Sequence, residues 1–157
     1  MSENTNIEIE RRFILRNVPN GVIKNSTALS IEQFYAPSDK GAIRYRCTSC
    51  KGHDDKFEKI IKLPVSKGIN TEQDFPVTKE SFYKEVNNDM RHIAKTRYVL
   101  HYGMKFEVDV FQDFSLIILE VELKSLDEKI IFPEWLEKEI IAEITGMKEF
   151  SNFNMAR

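Results

Sequence analysis

Hydrophobic and polar residues alternate along eight segments of the chain. Such alternation is typical of β-strands, whose successive side chains point to opposite faces. The segments lie near 6–14, 29–37, 41–49, 56–64, 68–77, 92–101, 104–112 and 115–124. Turn-forming residues separate them, as in "SDKG" at 38–41 and "SKG" at 66–68. Because most of the joints are short, the pattern favours antiparallel hairpins.

Two further segments have the periodicity of helices. Thr78 can cap a helix in "TKESFYKEVNNDM", with Phe82 and Val86 on one side. The segment "PEWLEKEIIAEITG" at 133–146 begins with a proline, ends with a glycine and carries an apolar stripe formed by Leu136, Ile140 and Ile144. The sequence therefore predicts an α+β fold dominated by an antiparallel sheet, in a single domain over 1–157.

The charged residues of the predicted strands form doublets of one sign, spaced two residues apart. The doublets are Glu8/Glu10, Arg44/Arg46, Glu72/Asp74, Lys95/Arg97, Glu107/Asp109 and Glu120/Glu122. Two like charges at this spacing, about 7 Å, repel by about 2 kcal/mol at an effective dielectric constant near 20. A single such row fits the solvated face of a half-buried strand. The repetition on six strands instead indicates a partner that neutralises the charges.

The chemistry of the doublets indicates what that partner is. Acidic doublets suit hard cations such as Mg²⁺ or Mn²⁺, and arginine doublets suit phosphate oxygens. Both kinds facing one space would bind a metal–polyphosphate complex. If the strands curl so that the charged face lies inside, the apolar faces point outward and must be covered by the helices or by a second subunit. A homodimer is compatible with this arrangement.

Composition narrows the class of protein. The 157 residues are 41% hydrophobic and 31% charged, as in ordinary globular proteins, and the net charge of −2 argues against a nucleic-acid binder. The chain has no apolar run of the roughly 18 residues that span a membrane, and its polar start lacks the order of a signal peptide. We therefore expect a cytoplasmic protein without membrane partners.

The two cysteines raise the alternative of a zinc site. Cys47 and Cys50, with His53 nearby, have the spacing of half such a site. Because no second pair follows, we expect instead that the cysteines end a strand beside a turn.

The charged motifs resemble, in order, those of the CYTH domains, also called triphosphate tunnel metalloenzymes. The opening "IEIERRF" is similar to the Glu-x-Glu-x-Lys signature of the family, and the later motifs are "IRYR", "KIIK", "AKTRY", "FEVDVF", "LEVEL", "PEWLEKEI" and "FSNFNMA". The resemblance spans the chain from Ile7 to Ala156. It implies an eight-stranded antiparallel β-barrel, a tunnel with helices packed outside, that holds a triphosphate inside.

The resemblance also implies roles for individual residues. Metal-binding carboxylates would be Glu8, Glu10, Asp109, Glu120 and Glu122. Triphosphate-binding cations would be Arg12, Arg44, Arg46, Lys62, Lys95 and Arg97. Glu72 and Asp74 would bind a second metal ion or restrain the basic residues. Tyr35 matches a tyrosine of short bacterial members and would act in catalysis with Lys95.

Three positions depart from the family pattern. Arg12 replaces the signature lysine, which keeps the charge but does not release a proton readily. Asn70 stands where many members have an arginine, so one phosphate contact would be lost. Phe34 replaces a small residue before the tyrosine.

The expected function is metal-dependent hydrolysis of a small-molecule triphosphate, with inorganic tripolyphosphate as the first substrate. The attacking water would be activated by a second metal ion or by Lys95 with Tyr35. Cyclisation of ATP, as in class IV adenylate cyclases, and hydrolysis of thiamine triphosphate are alternatives within the same fold. An alternative of another class is a polyphosphate sensor without catalysis.

Overall fold

The computed structural model of the protein describes residues 5–36 and 43–157. The strands within these ranges are β1 (Thr5–Leu15), β2 (Thr27–Tyr35), β3 (Ile43–Ser49), β4 (Lys56–Ser66), β5 (Ile69–Pro76), β6 (Arg91–His101), β7 (Lys105–Phe111), β8 (Ile117–Glu122) and β9 (Ile140–Glu143). The helices are α1 (Asn20–Asn25), α2 (Lys79–Glu85), α3 (Glu134–Glu137) and α4 (Asn152–Met155), and a 3-10 turn covers Lys148–Phe150. The predicted turn at 38–41 falls outside the described residues.

The first eight strands close into an antiparallel barrel. Their order is β5-β4-β3-β2-β6-β7-β8-β1, and β1 returns to pair with β5 through Thr5–Ile9. The second half of β1, Glu10–Ile14, pairs with β8. This closure confirms the predicted eight-stranded barrel, and each predicted strand corresponds to an observed one.

The predicted helix over 133–146 is wrong beyond α3. Residues Ile140–Glu143 form β9, which pairs with the end of β1 on the edge opposite β8. Pairing with β5 ends at Ile9, so this edge has free backbone groups, which need hydrogen-bond partners. Two β-branched residues, Ile140 and Ile141, suit a strand there. Two residues of the predicted stripe, Leu136 and Ile144, are buried in separate apolar clusters.

Helices α1, α2 and α3 pack on the outer, apolar face of the barrel, as predicted, whereas α4 does not. One outer cluster includes Leu119 and Phe106, together with Val22 of α1 and Leu136 of α3. A second cluster places Phe82 of α2, 1% exposed, against Tyr45 and Phe57. No helix in the described ranges is long and apolar enough to cross a membrane.

A third apolar cluster lies inside the barrel. It joins inward-facing residues of four strands to the C-terminal segment: Tyr35, Ile93, Phe111, Ile118, Ile144 and Ala156. Phe153 of α4 packs edge-on against the Tyr35 ring, with centroids 5.4 Å apart. The C-terminal segment therefore fills one part of the interior, and the charged doublets line the rest.

The cap of α2 should make a measurable contribution to stability. The Thr78 side chain accepts a hydrogen bond of 3.1 Å from the Ser81 backbone N–H. Thr78→Ala should lower the free energy of unfolding by about 1 kcal/mol, measured by urea denaturation. Ser81→Ala keeps the backbone donor and serves as the control. Equal stability of Thr78→Ala and wild type would mean that this cap does not hold α2 in place.

Candidate functional site

A cavity of about 520 Å³ inside the barrel is lined by charged side chains from seven strands. They include Glu8, Glu10, Arg44, Arg46, Glu58, Lys62, Glu72, Arg97, Glu107, Glu120 and Glu122. The period-two alternation turns them inward while the hydrophobic residues between them face the outer clusters. The charged rows therefore form the interior of the barrel rather than its solvated surface.

The carboxylate of Glu120 lies within 4.0 Å of two arginines. Its carboxylate lies 3.3 Å from Arg12 Nε and 3.5 Å from Arg97 Nη2. Burial opposes its ionisation, but the charges of Arg97 and Arg12 outweigh burial and hold the pKa of Glu120 well below its usual value. Glu120 is therefore an anion whose charge is balanced within the protein.

At Glu10, on the neighbouring strand β1, burial and repulsion by other carboxylates outweigh the attraction of the cations. Its closest cation is Lys62 Nζ at 3.7 Å, and the same ammonium group donates to Glu8 at 2.8 Å. Burial, together with repulsion by Glu120 and Glu8, raises the pKa of Glu10 well above its usual value. Glu10 is thus a carboxylate whose negative charge the protein does not balance.

The cations of the cavity lie on β3, β4, β6 and β7. Arg97 donates from Nε and Nη2 to the two oxygens of Asp109, at 2.7 and 2.9 Å, and lies 3.0 Å from Glu107. Arg44 is 6% exposed, with Nη2 3.8 Å from Glu72 and its buried Nε without a hydrogen-bond partner among the described residues. Lys62 is shared between Glu8 and Glu10.

Arg46 differs from these cations because its partner is neutral. Its Nε and Nη2 donate to Gln33 Oε1 at 2.9 and 2.7 Å. In the described part of the chain, no carboxylate oxygen lies within 4.0 Å of its guanidinium. Burial and the charges of Arg44 and Arg97 lower the pKa of Arg46 to about 10. Arg46 is therefore a repelled cation that faces the cavity.

Five of the predicted site residues do not line the cavity. Arg12 Nη1 donates to the Phe150 carbonyl at 2.9 Å, so it ties the C-terminal segment to β1. The other four are Tyr35, which belongs to the interior apolar cluster, Asp74, and the pair Lys95 and Asp109.

Lys95 is fully buried behind the cavity wall. Its Nζ donates to Asp109 at 2.7 Å, and Asn152 Oδ1, which belongs to a cavity-lining residue, lies 3.5 Å away. Burial lowers the pKa of Lys95 to about 8; Asp109 opposes this shift and Arg97 adds to it. Among the described residues no hydrogen bond joins Lys95 to Tyr35.

The acidic pair on β5 contacts other acids of the interior. Burial and a hydrogen bond with Glu8 raise the pKa of Glu72, and burial with a hydrogen bond to Glu58 raises the pKa of Asp74 to about 7. Asn70 continues the same inward face, opposite Glu8 of β1. In this part of the barrel, Glu72 and Asp74 therefore hold a proton more tightly than an ordinary carboxyl group does.

The carboxylates of the cavity fit a divalent cation that is shared with phosphate oxygens. In the two described ranges no three His, Cys, Asp or Glu side chains converge closely enough to surround a metal ion by themselves. Mg²⁺, however, is commonly held by one or two carboxylates together with phosphate oxygens. The unbalanced carboxylate of Glu10, close to Glu8 and Glu120, fits that donor set.

Sequence reasoning missed Gln33 and Glu58 as members of the site. Gln33 lies on the inward register of β2, opposite Arg46, but it is uncharged and so belongs to no doublet. Glu58 lies on the inward register of β4, also opposite Arg46, and pairs with Lys56 at 3.3 Å. Cys47 and Cys50 are free thiols, consistent with the expected strand end, and the converging group that a zinc site needs is not found among the described residues.

No family model matches the chain, and no curated protein matches its sequence significantly. Solved structures do match its fold. The crystal structure of the inorganic triphosphatase NE1496 matches with a TM-score of 0.62 and 24% identity, over 94% of this chain and 96% of that one.

Two archaeal structures also match. The PH1819 protein from Pyrococcus horikoshii OT3 has a TM-score of 0.56 and 13% identity, over 76% of this chain and 80% of that one. The PH1012 protein from the same organism has a TM-score of 0.51 and 17% identity, over 83% and 84%. At the level of the fold these likenesses confirm the resemblance: the chain has the eight-stranded tunnel fold of the CYTH domains.

Proposed function

We propose that this chain hydrolyses triphosphates in its tunnel with the help of a divalent metal ion, and that inorganic tripolyphosphate is the substrate. The observation that carries the proposal is Arg46, a cation on the cavity wall that is repelled by Arg44 and Arg97 and has no acidic partner within 4.0 Å in the described ranges. Holding such a charge costs free energy unless an anion binds to it. The similar fold of the inorganic triphosphatase NE1496 supports this proposal.

The phosphate chain would bind along the basic residues of the wall. Arg46 and Arg44 from β3, Arg97 from β6 and Lys62 from β4 all line the same cavity. Guanidinium groups bind phosphate oxygens through two parallel hydrogen bonds, so arginines can fix the orientation of the chain as well as its position. Arg12 lies behind this wall, where it pairs with Glu120 and holds the C-terminal segment.

The metal ion would be Mg²⁺ or Mn²⁺, held by Glu10 with Glu8, Glu120 and Glu122 on the cavity wall. When bound, it would neutralise charge on the phosphate oxygens and make the terminal phosphorus easier to attack. Asp109 is fully buried between Lys95 and Arg97, so we assign it to orienting Arg97 rather than to the metal. Glu72 and Asp74 would restrain the neighbouring basic residues, as the 3.8 Å approach of Arg44 to Glu72 suggests.

Hydrolysis breaks the bond between the terminal phosphorus and its bridging oxygen, while a water oxygen bonds to that phosphorus. Pyrophosphate and phosphate leave, and a proton of the water must be accepted. That Lys95, together with Tyr35, accepts this proton stays a prediction. Lys95 Nζ is buried behind Asn152, which lines the cavity, so the proton would have to move past Asn152 to reach it.

One part of the wall favours an organic triphosphate as a second candidate. This part consists of uncharged side chains, namely Leu29, Ile31, Val99 and Thr48. Such an apolar section offers nothing to a purely ionic ligand, but it can contact the organic group of thiamine triphosphate or a nucleotide.

The test is phosphate release from tripolyphosphate, ATP and thiamine triphosphate, each with Mg²⁺, with Mn²⁺ and with EDTA. We expect release that requires metal and is fastest with tripolyphosphate. Fastest release from thiamine triphosphate or ATP would instead favour the apolar wall as the selective element. Tight binding of tripolyphosphate without turnover would identify a sensor, and cyclic AMP formation from ATP would identify a cyclase.

A further inference from the structure

Gln33 lies at the base of Arg46 and is completely buried. Its single side-chain oxygen accepts both hydrogen bonds from the Arg46 guanidinium, from Nε at 2.9 Å and Nη2 at 2.7 Å. Its amide nitrogen donates to the Tyr35 hydroxyl at 3.2 Å. Since a guanidinium can only donate, the amide oxygen must face Arg46, which leaves the amide nitrogen for Tyr35. The orientation of Gln33 is thereby fixed from both sides.

Arg97 shows the same arrangement with a charged partner. In both cases the arginine lies directly opposite its partner on the adjacent strand: Arg46 faces Gln33, and Arg97 faces Asp109. In both cases Nε and Nη2 donate to the partner at 2.7 to 2.9 Å. The two arginines thus differ mainly in the charge of the group that holds them.

This difference decides how much positive charge each arginine offers to the cavity. Asp109 and Glu107 balance the charge of Arg97, whereas Gln33 holds Arg46 without balancing it. The other residue opposite Arg46, Glu58, pairs with Lys56 instead. A carboxylate at position 33 would have kept the geometry and removed the net charge.

We propose that Gln33 is a positioning residue that holds Arg46 in a fixed orientation while leaving its charge free for the phosphate chain. This inference rests on the proposed function. It means that Gln33 contributes to the affinity of the tunnel for highly charged anions. The Tyr35 hydroxyl accepts a hydrogen bond from the Gln33 amide and so fixes its orientation. Tyr35 therefore contributes to the orientation of Arg46.

The decisive variant is Gln33→Glu, which has the same shape and can still accept both hydrogen bonds, while the Tyr35 hydroxyl turns to donate. We expect the KM for tripolyphosphate to rise by about 10- to 100-fold, because the new charge balances Arg46 and opposes the ligand. The Tm in EDTA should be unchanged or higher, since Arg46 gains a partner. Lowering the pH should narrow the gap in KM between variant and wild type as the introduced carboxyl takes up a proton.

Two further variants separate this role from a merely structural one. Gln73→Glu makes the same change on the outer face of β5, where Gln73 bonds to Thr5, and should leave KM unchanged. Gln33→Met removes the oxygen that accepts from Arg46 without adding charge. It should therefore raise KM by a factor that does not change with pH. A Gln33 that only supported the fold would show a lowered Tm in both variants at position 33.

The outcomes also separate this inference from the proposed function. A wild-type protein that neither binds nor hydrolyses tripolyphosphate would overturn both. Turnover by the wild type, with the same KM in folded Gln33→Glu, would overturn the role of Gln33 alone.

Discussion

Replacing Glu10 with glutamine should abolish metal-dependent hydrolysis and at the same time stabilise the metal-free protein. Glu10 lies near Glu8 and Glu120, and the attraction of Lys62 and Arg12 does not offset burial and this repulsion, so its charge costs free energy until a metal ion binds. We expect the rate of phosphate release to fall by about 100- to 1000-fold, the size of effect typical for losing one preorganised electrostatic group. The Tm in EDTA should rise by about 3 °C, equivalent to about 1 kcal/mol for a chain of this size.

The stabilisation should depend on pH in a defined direction. Because the pKa of Glu10 is raised in the folded state, the folded protein keeps a proton that the unfolded chain loses. Stability is therefore lost as the pH rises above the value near 4.3 at which an unfolded glutamate ionises. Glutamine does not ionise, so the gain in Tm of Glu10→Gln, measured in EDTA, should be larger at pH 8 than at pH 5.

Two other glutamates provide the comparison. Glu32→Gln makes the same change outside the tunnel, at an exposed side chain, and should leave both properties unchanged. Glu120→Gln should lose activity and stability together, because Arg12 would lose the carboxylate that pairs with it and Arg97 would lose one of its three. Full activity of folded Glu10→Gln at limiting metal would remove Glu10 from the metal site.

The alternation of residue types was sufficient to predict eight antiparallel strands and a shared charged face, while the closed barrel was implied by the family resemblance. On most strands one face is apolar and the other is charged. On the outer face Val108 and Leu119 are fully buried under the helices, whereas on the inner face Glu107 and Glu120 line the cavity. A period of two maintained over eight segments leaves few alternatives for the fold. The segment 140–143 was misassigned because apolar residues four apart fit a helix, whereas the free edge of β1 decides that they form a strand.

The pairing of charges could not be predicted in the same way. Arg46 and Arg97 both belong to basic doublets, and nothing in their local sequence distinguishes them. The distinction comes from strand register, which places Gln33 opposite one and Asp109 opposite the other. Register depends on the whole barrel, so the sequence identified which residues face inward but not which charges remain free.

Arg46 and Arg97 should accordingly differ in what their loss does to the fold. Arg97→Met would leave Asp109 and Glu107 without their main cation, and we expect a loss of about 3–5 kcal/mol in the free energy of unfolding. Arg46→Met removes a repelled charge but leaves the Gln33 side-chain oxygen without a donor. These effects oppose each other, so the Tm in EDTA should stay within about 3 °C of wild type. Thermal unfolding of both variants in EDTA measures this difference.

The affinity of Arg46→Met for tripolyphosphate should nevertheless fall by about 100-fold, because the variant loses the unbalanced charge that the phosphate chain would contact. KM for tripolyphosphate measures this loss, and the protection of Tm by pyrophosphate, a non-hydrolysed probe in this assay, gives it independently of turnover. Arg16→Met, which removes an exposed arginine outside the tunnel, has the same change in net charge and should bind like the wild type. Normal affinity in Arg46→Met would mean that the free charge of the tunnel serves another ligand. Lost affinity with an unchanged Tm would instead identify Arg46 as a residue kept for binding, since the folded state gains no stability from it.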